Sequence, residues 1–119
     1  SIIIEMVGAH ATKPYVLRLR ISLKYTSALV IHRPTRRCAA SASSQEREFK
    51  QTLIESGESS RTIHVAHRVG ALLAKRLDLK SVTIVHLDLE KEALKHERES
   101  KRYQALIHGL QENGVEVVP

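Results

Sequence analysis

Residues 61–77, RTIHVAHRVGALLAKRL, run without a break into residues 78–88, DLKSVTIVHLD. In the first stretch Val65, Ala66, Val69, Leu72, Leu73 and Leu77 recur at three- and four-residue spacing, the apolar stripe of an amphipathic helix. Thr62 is placed to cap its start. In the second, residues 81–87 turn β-branched and predict a buried strand. A glycine inside a helix costs about 1 kcal/mol against alanine. Gly70, on the flank of the stripe, is therefore expected to let this helix approach a sheet closely.

Upstream, residues 15–23 alternate with a period of two. Tyr15, Leu17, Leu19, Ile21 and Leu23 point one way; Arg18, Arg20, Ser22 and Lys24 point the other. A second extended run, residues 26–33, carries Leu29, Val30 and Ile31 and stops at Pro34, which has no amide hydrogen to continue a ladder. A third, residues 36–43, is mostly small. The short gaps favour antiparallel hairpins. Residues 44–61 are polar, punctuated by Gly57 and serines, and read as a connection with a single helical turn around Phe49.

Downstream, residues 88–99 form a dense mixed-charge segment expected to be a solvated loop or helical extension. Tyr103, Leu106, Ile107 and Leu110 mark a second amphipathic helix, Gly114 a stop, and VEVV a last strand. The order β-β-β-α-β-α-β predicts an α/β domain over residues 15–119, after a short extension of residues 1–14. Its mixed sheet should carry the helices on one face and leave the other open.

A length of 119 residues suits one domain. Nineteen Lys and Arg against thirteen Asp and Glu give a net charge of +6, which favours a polyanionic partner. No apolar run approaches the ~20 residues of a spanning helix, so nucleic acid is expected rather than membrane. The lone Cys38 cannot close an internal disulfide; it is expected to be a small buried strand residue in a reducing compartment. Residues 1–9, SIIIEMVGA, lack the basic flank and apolar core of a secretory signal, and the start at Ser1 points to processing or preceding residues.

The strand and helix order also suits nucleases of ribonuclease-H-like topology, which hold two metal ions on clustered carboxylates. Here the three predicted N-terminal strands contain no Asp or Glu, and Asp88 alone is not a two-metal site. His64 and His67 are three apart on one helix, but zinc needs three or four ligands, and no HExxH or Cys-pair spacing supplies the others. No catalytic residue, metal, cofactor or small-molecule substrate is expected.

Six of the nineteen basic residues fall between Arg18 and Arg37, where there is no acid. Arg18, Arg20 and Lys24 are expected together on the uncovered sheet face, with Arg33, Arg36 and Arg37 at a turn beside them. Such a cluster neutralises phosphates and releases condensed counterions. With one Phe and three Tyr the chain lacks base-stacking platforms, so recognition of RNA shape and backbone is expected. The alternatives are an RNA-processing enzyme and a protein-interaction module working through residues 88–99.

VAHRVGALLAKRL and SVTIVHLD, followed by KRYQALIHGLQENGVEVV, resemble the C-terminal half of large-subunit ribosomal protein family eighteen, the bacterial-type 5S rRNA-binding proteins. The likeness extends to Lys13-Pro14, to ALVI in the second strand and to AASASSQEREF after it. It implies a constituent of the central protuberance that binds 5S rRNA and packs against neighbouring large-subunit proteins. It further implies RNA contact by Lys24 in the first hairpin and by Arg102 where the last helix opens; Lys13 and Lys101 are expected to contact RNA as well. The family's long basic N-terminal arm is replaced by fourteen weakly basic residues, and its glycine- and aromatic-rich turn near Asp88 by the charged segment. Both departures look like an organellar member, mitochondrial ahead of plastid.

Overall fold

Strand β1 (Tyr15–Ile21) realises the period-two alternation: Leu17 and Leu19 are buried, Arg18 and Arg20 exposed. It pairs antiparallel with β2 (Thr26–His32), which places Leu17 opposite Val30 and Leu19 opposite Ala28 on one face, and Arg18 opposite Leu29 on the other. β2 pairs antiparallel with β3 (Arg37–Ser43). The chain continues through α1 (Arg47–Ser56), α2 (Ile63–Asp78), β4 (Ile84–His86), α3 (Leu89–Lys95), a 3-10 turn (Glu97–Glu99), α4 (Ser100–Glu112) and β5 (Glu116–Val118). β4 lies parallel to both β1 and β5, completing a mixed five-stranded sheet in the order β3-β2-β1-β4-β5. The computed structural model describes residues 13–119, so most of the extension expected over residues 1–14 lies outside the described residues.

The predicted stripe forms the core. Val65, Val69, Leu73 and Leu77 of α2 and Leu106 and Leu110 of α4 are fully buried with Leu17, Val30 and Val85 of the sheet. Each such side chain contributes roughly 1.5–3 kcal/mol through burial. Thr62 caps α2 as expected, its hydroxyl accepting the Val65 amide at 3.1 Å.

Elsewhere the structure departs from the sequence reading. The expected connection over residues 44–61 contains the ten-residue α1, which buries Phe49 and Leu53 one turn apart and ends at Gly57, whose φ of 71° closes the helix. Two apolar anchors on a polar background are too sparse to show as periodicity. The charged segment takes the helical of its two expected forms and stays solvated: Asp88 accepts the Lys91 amide at 3.1 Å and starts α3, which buries none of its residues. β4 is three residues long rather than seven, because its partner β5 is equally short and the Val82 amide is taken by Leu77 O of α2. β1 stops at Ile21, leaving Leu23 in a turn and 65% exposed. Cys38, expected inside, is exposed: it lies on edge strand β3 opposite Ile31, beside an irregularity in the β2–β3 register.

Gly70 serves a different approach from the one anticipated. A Cβ there would overlap the carbonyl oxygen of Leu106, and a Cβ at Gly109 would overlap that of His67. The two glycines bring α2 against α4, not against the sheet.

The corner between β3 and the helices is tied by Arg76, whose guanidinium donates to Glu46 at 2.6 and 2.8 Å and to Ser41 O at 2.7 Å. The bond from Arg76, assisted by the Ser43 amide, holds the Glu46 carboxyl below its ordinary range. A lowered folded-state pKa contributes stability that is present above the unfolded value and lost as pH falls through the folded one. Glu46→Gln is therefore expected to destabilise the protein at pH 7 and to converge with the parent as the solution is acidified toward pH 3, measured by urea denaturation. A gap that stays constant with pH would exclude this ionic contribution.

Candidate nucleic-acid interface

The sheet face away from the core carries Val16, Arg18 and Arg20 of β1, opposite Ile31, Leu29 and Ser27 of β2, and His86 of β4 opposite Val16. Because β4 ends at His86, the rest of β1 has no strand on that side. α3 stands there, and between it and the sheet lies a cleft of about 530 Å³ lined by Lys13, Arg18, Arg33, His86, Lys91 and Lys95.

The cleft holds two acids, and both have local partners. The Asp88 carboxylate is engaged as the α3 cap. Glu92 accepts from His96 Nε2 at 2.9 Å, and the buried His96 ring stacks on Tyr103 at a centroid distance of 5.6 Å. Burial pushes the Tyr103 phenol above its ordinary range, with the Glu92 charge adding to the effect. Among the described residues, Lys13, Arg18, Arg20, Arg33, Arg36 and Arg37 form no ion pair. On the helical side, by contrast, Arg68 pairs with Glu58 and lies over the Phe49 ring, and Arg76 pairs with Glu46.

Lys13, Arg18 and Arg33 are brought together because Arg33 N donates to Pro14 O at 2.7 Å, which fastens the β2–β3 turn beside the start of β1. Arg36, at φ 57°, and Arg37 are exposed in that same turn region. Arg20 lies on the Arg18 face, two residues along β1.

Three expected contacts fall elsewhere. Lys24 is not grouped with Arg18: it sits in the β1–β2 turn at the opposite end of the strands, its carbonyl bonded by Ser60 Oγ at 2.7 Å. Lys101 lies on the first turn of α4 and borders an apolar depression with Ile63, Leu89 and Tyr103. Arg102 is 4% exposed and donates to Ser22 O at 2.7 Å, Tyr25 O at 3.1 Å and Thr26 Oγ1 at 2.7 Å. It pins the first hairpin to α4 and has no surface to offer a phosphate. Lys91, Lys95 and His86 were missed. The i, i+4 spacing of the two lysines places them on one side of a helix, a signal obscured while residues 88–99 are left open between loop and helical extension.

Neither a family model nor a curated protein matches the chain. Among the described residues no helix is long and apolar enough to cross a membrane.

Proposed function

We propose that this protein is a non-catalytic RNA-binding constituent of the large ribosomal subunit, of the family-eighteen type and organellar, mitochondrial before plastid. It docks on 5S rRNA or adjacent rRNA of the central protuberance, among neighbouring large-subunit proteins. The observation that carries the reading is the cleft between the sheet face and α3, where Lys13, Arg18, Arg33, Lys91 and Lys95 converge while its two acids are occupied locally. Unpaired cations of this kind bind phosphates through counterion release. With few aromatic side chains in the chain, contacts to backbone and groove shape dominate. The apolar depression around Tyr103, lined also by Ile63, Leu89 and Ile107, suits a neighbouring protein.

The triple variant Arg18→Ala, Arg33→Ala, Lys95→Ala is expected to weaken binding to structured rRNA on the order of tenfold to a hundredfold. Each lost phosphate contact should also flatten the slope of log affinity against log salt by about 0.9. The double variant Lys24→Ala, Lys101→Ala, which also removes surface charge but away from the cleft, should retain most of the affinity. Equal losses in the two variants would mean that the cleft is not the docking surface.

A further inference from the structure

The crossing of α2 and α4 assembles a second group of side chains. Because Gly109 lets the backbone carbonyl of His67 approach α4 directly, the His67 side chain emerges beside those of His108 and Glu112. Glu112 lies between the two rings: His67 Nε2 is 2.7 Å from its Oε2, and His108 Nε2 is 3.3 Å from its Oε1. The imidazoles meet edge to face at 5.9 Å. One ligand atom from each of the three residues falls within 4.8 Å of the others.

We propose that His67, His108 and Glu112 form a binding site for a divalent transition metal ion of the zinc class. The donor set is two imidazole nitrogens and one carboxylate oxygen, which suits zinc rather than the all-oxygen shells of magnesium or calcium. Metal–ligand bonds of about 2.0–2.2 Å at tetrahedral angles require ligand atoms roughly 3.3 Å apart. The two imidazole-to-carboxylate separations, 2.7 and 3.3 Å, lie at or below that value, and all three ligand atoms fall within 4.8 Å, so side-chain rotations suffice to close the site. Each neutral imidazole would hold its proton on Nδ1 and present the Nε2 lone pair, with water completing the shell.

Two further features favour a cation here. Glu112 is the last residue of α4, whose final turn contains no Lys or Arg, so its carboxylate adds negative charge to the negative end of the helix. The end itself is held in place, with Asn113 Nδ2 donating to Gly109 O at 2.7 Å. The side chains are 33%, 63% and 48% exposed for His67, His108 and Glu112, which leaves an entry path and room for water. The site ties the end of α4 to the second turn of α2, on the helical layer and apart from the residues of the cationic cleft.

Adding zinc to the metal-stripped full chain should raise the melting temperature by about 5 °C at saturation, because a ligand bound only by the folded state stabilises it. Cobalt in its place should give the visible absorption of tetrahedral coordination. His108→Ala and Glu112→Gln, both at exposed positions, should remain folded by circular dichroism and lose both responses. His64→Ala, one turn away on α2 and 66% exposed, should keep them. The proposal is overturned if zinc leaves the parent's melting temperature unchanged, if magnesium raises it equally, or if the response survives in His108→Ala and Glu112→Gln.

Discussion

Replacing Arg102 with alanine is expected to destabilise the protein by about 3–4 kcal/mol, lowering the melting temperature by about 15 °C. The guanidinium sits beneath the β1–β2 turn and bonds two backbone carbonyls, Ser22 O and Tyr25 O, and the fully buried Thr26 hydroxyl. Glu99, the nearest carboxylate at 3.5 Å, is partly exposed and can be rehydrated when the arginine is lost. Thr26 Oγ1, in a fully buried residue, cannot, and it would remain desolvated without its donor. Arg102→Lys should fall between parent and alanine variant, since one ammonium cannot span acceptors that the planar fork reaches together. Thermal denaturation of the three proteins checks the order. A melting temperature unaffected by Arg102→Ala would restore the residue to the RNA-contact role implied by the family resemblance.

Alanine at Gly70 or Gly109 is expected to cost about 2–3 kcal/mol net, despite a gain of about 1 kcal/mol in helix propensity. The added methyl meets a backbone carbonyl of the facing helix in each case, Leu106 O for Gly70 and His67 O for Gly109, so no side-chain rotation relieves the overlap. The helices must move apart, loosening the contacts of Val69, Leu106 and Leu110 at the centre of the core. The two substitutions should be less than additive, because one separation accommodates both. Urea denaturation of the single and double variants measures this; stabilisation by either single variant would show that the helices do not need the contact.

Gly70 also shows how far the chain can be read without coordinates. Its position on the flank of the α2 stripe marks a close approach, but nothing in residues 61–77 says whether a sheet or another helix approaches. The reciprocal glycine, Gly109, lies on α4 and meets the backbone of α2 only once the helices cross. The histidines are similar. Along α2, His64 and His67 lack further ligands, and the two groups that complete a set with His67 come from α4, 41 and 45 residues beyond His67. The extension of α1 beyond the expected turn around Phe49 is hidden for a local reason, since Phe49 and Leu53 are its only buried residues.

Sequence periodicity determined the fold class, because the alternation of β1 and the stripe of α2 each admit one backbone geometry that buries their apolar side. It also determined that an acid-free, basic stretch runs from β1 to the β2–β3 turn, since charge is a property of composition. Which of the chain's cations face solvent together, and which are consumed internally, was decided by tertiary structure alone. Arg102 is the clearest case: its acceptors lie 76 to 80 residues away, and only folding surrounds it with them. A guanidinium is available to a ligand or committed to the core according to the oxygens that packing places around it, and local sequence carries no record of those.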